Sequence, residues 1–251
     1  MFELPYNHFS DKSDLYARAR PRYPAALYAW LAGLCRGRER AWDAACGSGQ
    51  AAVDLADHFA EVQAADASEQ QIANVLSHPR VTYSVQPSEA TCFADHTFDL
   101  VCTAQALHWF DYDQFWPEVK RVLKPGGIFA AWGYAWFSIQ DEIDAIIECS
   151  LLEVIRPYWP AQNRLLWEGY QNIPFPFERL EAPAFEMLAH WDLDELFAYM
   201  STWSATRRAM AARGDGFFRD AYQAVQAAWG NQQTKRRAVM DFYVIAGRVG
   251  G

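Results

Sequence analysis

The stretch from Trp42 to Gln50, WDAACGSGQ, sets a carboxylate, Asp43, just ahead of two closely spaced glycines, Gly47 and Gly49. Glycines flanking a tight turn at the start of a helix let backbone N–H groups approach a ligand, because no Cβ stands in the way. Read as Gly47-x-Gly49-x-x-Ala52, the turn fits a dinucleotide fingerprint, and Asp66 stands near the distance at which an acid meets a ribose. A purely structural turn would satisfy the same glycines. Asp43 separates the ligands. At a pyrophosphate site a carboxylate in that place repels phosphate; it suits an ammonium group instead, and Asp66 keeps two acceptor oxygens for ribose hydroxyls.

Other residues with chemical potential lie elsewhere. Gln105, His108 and Trp109 follow an apolar run, where ligand-facing side chains emerge from a parallel sheet. His108 is a candidate general base, its unperturbed pKa being about 6.5, and a histidine that only hydrogen-bonds its loop is the alternative. Near the N-terminus Arg18, Arg20 and Arg22 stand beside Tyr16 and Tyr23. They suit a lid that grips an anion through forked hydrogen bonds, or a solvated face. Trp159, Trp167, Trp203 and Tyr170 are candidates for an acceptor pocket, although core packing explains most of the eleven tryptophans. The five cysteines are scattered and include no Cys-x-x-Cys pair, which speaks against a disulfide framework and a zinc ribbon; no metal is expected.

The elements that must position these residues follow from periodicity. WDAA predicts a first strand ending at Asp43, QAAVDLADHF a helix, EVQAADAS a strand ending at Asp66, and EQQIANVLSH a second helix. RVTYSVQ and TFDLVCTAQAL read as strands, and DQFWPEVKRVL as a helix stopping at Lys124-Pro125-Gly126-Gly127 before the strand IFAAWGY. Strands alternating with helices mean a parallel sheet covered on both faces. The rhythm breaks after Ala135. DEIDAIIECSLLEVIRPYW predicts a long amphipathic helix, and PAQNRLLWEGYQNIPFPFERL has no clean period, so residues 140–185 read as an inserted cap. FEMLAHW is a strand, Asp192 with Glu195 a capping box, FFRDAYQAVQAAW a helix and RAVMDFYVIAGRV a last strand, so that residues 186–251 complete the sheet.

The 251 residues are 51% hydrophobic and 21% charged, enough for a full core. A net charge of −9 offers no general attraction to nucleic acid or to an anionic membrane, which leaves a small molecule as the expected partner. Scattered cysteines and an N-terminus without an apolar signal core predict a cytoplasmic protein. The most apolar run, Gly127 to Ile139, is too short to cross a membrane.

Asp43-x-Ala45-x-Gly47-x-Gly49 resembles the first motif of class I S-adenosylmethionine-dependent methyltransferases, with Ala45 at the usual first glycine. The likeness continues through AADASEQQI, PSEATCFADHTFDLVCTAQALHWFD and EVKRVLKPGGIFAAW, covering roughly residues 9–135. YARARPRYPAAL, QALHWFD and STWSATRR are similar to the type-11 group that includes trans-aconitate methyltransferase. The resemblance implies a Rossmann-like, doubly wound α/β sheet of seven strands, mostly parallel with an antiparallel last strand, plus the helical cap. It implies S-adenosyl-L-methionine as cofactor, held by Asp43, Ala45, Gly47, Gly49, by Asp66 and Ala67 at the ribose, by Ser88 and Glu89 at the adenine, and by Gln105. His108 would be the base, and Tyr16, Arg20, Tyr23, Trp109 and Trp203 would meet a small acceptor methylated on a carboxylate or hydroxyl. Two other readings compete: a non-catalytic sensor or scaffold that binds the same cofactor, and a nicotinamide-dependent dehydrogenase, against which Asp43 argues.

Overall fold

The computed structural model describes residues 20–250, which divide into two compact units. One unit comprises Tyr23–Ala135, Arg164–Phe185 and the chain from Phe242 onward. It carries β1 (Arg40–Ala44), β2 (Glu61–Asp66), β3 (Val81–Val85), β4 (Phe98–Ala104), most of β5 (Leu123–Ser138) and β6 (Glu178–Leu180). Its helices are α1 (Ala25–Leu34), α2 (Gln50–Leu55), the short α3 (Glu69–Ile72) and α4 (Tyr112–Val122). In the other unit lie α5 (Asp141–Ile147), α6 (Glu153–Ile155), β7 (Met187–Trp191), α8 (Leu193–Ser201), α9 (Ser204–Arg213) and α10 (Gly216–Trp229). The five-residue α7 (Asn163–Trp167) falls on the boundary, and β8 (Arg236–Arg248) contributes to both.

Seven strands follow the order β3-β2-β1-β4-β5-β8-β6, and an eighth, β7, pairs with the first half of β8. β3, β2, β1, β4 and β5 are parallel, whereas β6 and β7 run antiparallel to β8. This is the doubly wound α/β architecture with an antiparallel C-terminal strand. The reversal of winding falls between β1 and β4, where such sheets bind ligands at the carboxyl ends of the strands. β4, FDLVCTA, shows why the sheet is covered on both faces: six of its seven residues are buried, without alternation.

Beneath β4 and β5 the core is aromatic. Trp116 meets the rings of Phe129, Phe175 and Phe177 edge-on at 5.2, 5.9 and 5.5 Å between centroids. Edge-to-face pairs align the positive ring edge with the negative face, adding to the area buried. Phe175 and Phe177 come from the stretch expected to be cap, so the boundary falls elsewhere. Residues 164–185 belong to the first unit, and 186–241 to the other, together with Trp136–Asn163. The expected capping box at the start of α8 is present. The Asp192 side chain accepts from Glu195 N at 2.9 Å, and Glu195 accepts from Asp192 N at 3.0 Å.

Three local departures from the sequence reading have physical causes. β1 continues one residue past Asp43 to Ala44, whose register partner is Ala65. The helix expected through His78 stops at Ile72, because Leu76 N donates to Ser48 O and the Tyr83 hydroxyl donates to Leu76 O, drawing the chain across the glycine turn. The long helix after Ala135 changes pitch. A π-helical turn at Glu148–Leu152 follows α5, with Ser150 Oγ bonded back to Ile146 O, and a 3₁₀ turn closes it at Arg156–Tyr158.

Candidate active site

Parallel pairing aligns Tyr83, Ala64, Asp43, Cys102 and Ala130 in one row across β3, β2, β1, β4 and β5. Register partners in a sheet project to the same face. The Asp43 carboxylate is therefore held beside the α2 side of the glycine turn, 1% exposed, and neither oxygen has a hydrogen-bond partner among the described residues. Burial pushes Asp43 up to about 8; the Ala52 N–H in the first turn of α2 draws it back, and the charge of Asp66 adds to the rise. With at most the Ala52 N–H to answer it, a carboxylate buried in this position is poised for a cationic partner.

The turn after β1 is built from left-handed residues. Ala45, Gly47 and Gly49 have φ of +54°, +55° and +83°. A Cβ on Gly47 would meet nothing within 4 Å, so that glycine faces open space. A Cβ on Gly49 would run into the Tyr83 hydroxyl and ring, so glycine is favoured there twice, by φ and by the side chain above it. Asp66 braces the turn from β2: its Oδ2 accepts from Gly47 N at 2.9 Å and its Oδ1 from Ser68 N at 2.8 Å. A carboxylate has about four acceptor positions, so two remain for ligand hydroxyls. Between them Cys46 is no nucleophile, since burial and then the charges of Asp43 and Asp66 push its thiol well above the ordinary range.

The loop after β4 leaves the same carboxyl edge as the loop after β1, its parallel neighbour. Gln105 turns it with φ of +58°, and its side-chain amide donates to Tyr134 O on β5 at 3.1 Å. His108 is 5% exposed, with Nδ1 3.1 Å from the Tyr170 hydroxyl. Burial pushes its pKa down to about 4, so the imidazole is neutral at physiological pH. Trp109, by contrast, is 52% exposed, its ring 4.8 Å from that of His108 between centroids.

The remaining sequence candidates are dispersed. Ser88 is buried in the β3–β4 loop, Glu89 accepts from Asp111 N at 3.3 Å, and Ala67 is exposed beside Asp66. Tyr23 packs in the core against Trp132, Tyr134 and Phe242. Arg20 and Arg22 are exposed, while Tyr16 and Arg18 lie outside the described residues. Trp203 sits in the other unit, where its ring, Trp136 and Trp159 lie 6.0 to 6.2 Å apart between centroids. Rings that close pack against one another.

Sequence reading missed Tyr83 and Tyr28, and it named Tyr170 for an acceptor pocket without its bond to His108. Period-two alternation along β3 puts Tyr83 on the Asp43 face, and that signal was available. Tyr28 has a buried hydroxyl without a partner among the described residues; burial, then Asp54, Tyr23 and Asp43, push its pKa well up. A hollow of about 480 Å³ lies at the opposite, amino ends of the strands, lined by Glu39, Arg40, Glu61 and Lys124 among others. Its charges already pair, Arg40 with Glu61 at 2.8 Å and Lys124 with Glu39 at 2.7 Å, which leaves little for a ligand.

A glycine turn after β1, an acid at the end of β2 and a sheet wound both ways define a Rossmann-like enzyme of the nucleoside-cofactor type. A family described as a methyltransferase domain matches residues 42–131. A Dictyostelium discoideum protein named as a methyltransferase is 30% identical over 200 residues, 78% of this chain and 76% of the relative. A Mycobacterium tuberculosis protein described as an uncharacterized methyltransferase is 30% identical over 176 residues, 69% of this chain and 67% of the relative. A solved structure from Anaeromyxobacter dehalogenans, described as a type II methyltransferase, is 39% identical with a TM-score of 0.86, covering 92% of this chain and 98% of that one. This chain belongs to the class I S-adenosylmethionine-dependent methyltransferases, and S-adenosyl-L-methionine is its cofactor.

The residues fit that group. It carries an ammonium, a sulfonium and a ribose and no phosphate, and the turn offers an unpartnered carboxylate, an open glycine and an acid with acceptor capacity to spare.

Proposed function

We propose that this chain methylates a small anionic acceptor on oxygen, a carboxylate by preference. In this reading Asp43 meets the ammonium of S-adenosylmethionine, the backbone of Gly47 and Gly49 lets the methionine portion approach, and Asp66 takes the ribose hydroxyls. Ser88 and Glu89 stand toward the adenine. When bound, the cofactor supplies a methyl group on a sulfonium, a good leaving group. With an acceptor carboxylate held in line with that methyl, transfer would turn carboxylate and sulfonium into a neutral methyl ester and a neutral thioether, and no proton would have to move. The protein needs to hold the two near attack distance and to exclude water.

One observation carries the preference for a carboxylate: His108, beside the loop after β4, is a weak base, its pKa pushed down to about 4 by burial. A hydroxyl or an amine needs its proton removed, whereas a carboxylate is already ionised at neutral pH. The type-11 resemblance points the same way. The test is turnover of trans-aconitate and a panel of related small di- and tricarboxylic acids with labelled cofactor. The expected result is methyl ester formation with kcat nearly flat between about pH 6 and 8. Methylation confined to hydroxyl or amine compounds, rising with pH, would overturn the reading.

A further inference from the structure

His108 has one committed nitrogen and one open one. Nδ1 lies 3.1 Å from the Tyr170 hydroxyl, in a pair buried from solvent. Nε2 has no protein partner among the described residues and is not among the fully buried, unpartnered polar atoms, so the ring's small exposure falls at that end. Tyr170 itself is completely buried, held at φ of +58° directly after Gly169 at +61°. A non-glycine residue in that region is strained, and surrounding structure must over-determine it. Here the surroundings do. The Tyr243 ring crosses that of Tyr170 at 90° and 5.9 Å, the Tyr243 hydroxyl donates to Leu166 O, and Tyr170 N donates to Leu165 O at 2.9 Å.

The direction of the bond between the two side chains follows from counting donors. Desolvation holds the Tyr170 phenol well above its ordinary pKa, against a smaller opposing effect of the Leu107 backbone, so it keeps its proton. A neutral imidazole carries one N–H and one acceptor nitrogen. Were the imidazole proton on Nδ1, it would point at the phenol oxygen, and the phenol O–H would be a buried donor with no acceptor among the described residues. With the phenol donating to Nδ1, both groups are satisfied. Leaving a buried donor unpaired is costly enough to decide the tautomer.

We propose that Tyr170 is a positioning residue that fixes His108 with its proton on Nε2, so that the open nitrogen presents an N–H to an oxygen of the acceptor. This rests on the carboxylate reading above for the identity of the oxygen, but not for the tautomer. An N–H donor aligns one carboxylate oxygen and leaves the other free to attack. It also rejects an ammonium at that point, since a neutral Nε2–H offers no acceptor.

The test is nitrogen-15 NMR of the histidine ring nitrogens in the full chain without cofactor or acceptor, with His108→Gln to assign the signals. The expected spectrum has His108 Nε2 protonated and Nδ1 unprotonated, unchanged between about pH 5.5 and 8. In Tyr170→Phe, which removes only the hydroxyl, the two ring nitrogens should shift toward averaged values as both tautomers become populated. A protonated Nδ1 in the parent protein would overturn the proposal, as would an unaltered tautomer in a folded Tyr170→Phe chain. Because no methyl transfer is measured, failure here is distinguishable from failure of the acceptor assignment. If the tautomer holds and carboxylic acids are not methylated, only the identity of the oxygen falls.

Discussion

Alanine at position 45 stands in a left-handed conformation, φ +54°, where the first motif usually has glycine. From sequence the substitution reads as one added methyl group; the dihedral shows that the methyl has a conformational cost. An alanine held there loses roughly 1–2 kcal/mol to the Cβ–carbonyl clash, while glycine loses roughly 0.5–1 kcal/mol more backbone entropy on folding. The difference favours glycine. Ala45→Gly should stabilise the chain by about 0.5–1 kcal/mol, seen as a higher denaturation midpoint with an unchanged slope. A lower midpoint would mean that the methyl makes a packing contact worth more than the strain. Asp43, Gly47, Gly49 and Asp66 could be proposed from sequence because each needs one residue type for a stated reason. Tyr170 could be named only as one more aromatic; its bond to His108 could not be read, since the two are distant in sequence, and its φ cannot be read from a segment without a period.

Among the elements, the loop between β3 and β4 shows how a flexible-looking segment is fixed. Glu118 on α4 accepts from the Thr91 N–H at 2.8 Å and from Arg121 Nη2 at 2.7 Å, and Arg121 Nη1 reaches Asp95 and Phe93 O, each at 2.7 Å. Burial raises the Glu118 pKa, but hydrogen bonds from Arg121 and then Thr91 outweigh it and hold the carboxyl below its ordinary range. Removing the guanidinium leaves a nearly buried charge. Arg121→Met should cost about 2–3 kcal/mol near pH 7, toward the low end for a broken buried pair because Arg121 is one-third exposed. A carboxyl with a depressed folded pKa stabilises above its unfolded value and loses that contribution as pH falls through the folded one. The parent and variant midpoints should therefore converge as the pH drops below about 4. An undiminished difference in acid would mean that the arginine acts through packing alone. β1 to β5, β7 and β8, with α4, α8 and α10, were legible from their periods; β6 was not, lying in the stretch without one. The end of α3 was not, because Leu76 and Tyr83 stop it through contacts that no local pattern encodes.

For the whole molecule, a parallel sheet covered on both faces was readable from strand and helix alternation, whereas the antiparallel final strand came from the family resemblance. The division into two units was not readable, because both are discontinuous: the chain leaves the first unit at Trp136, returns at Arg164, leaves at Glu186 and returns at Phe242. Burial in the folded chain, not the local sequence, also gives Asp43 its pKa near 8 against an ordinary 3.8. A raised carboxyl favours the fold at low pH and loses that advantage as pH climbs from about 4 to about 8, so the free protein holds this proton at pH 7. An ammonium beside Asp43 requires the carboxylate and expels the proton. Calorimetric titration of S-adenosylmethionine at pH 7 in two buffers of different ionisation enthalpy tests this directly, with Asp43→Asn alongside. The expected result is release of most of one proton, affinity rising up to roughly tenfold per unit between about pH 6 and 7.5, and an Asp43→Asn chain that releases none and binds about 10- to 100-fold more weakly. Binding without proton release, or Asp43→Asn binding as tightly as the parent, would contradict it.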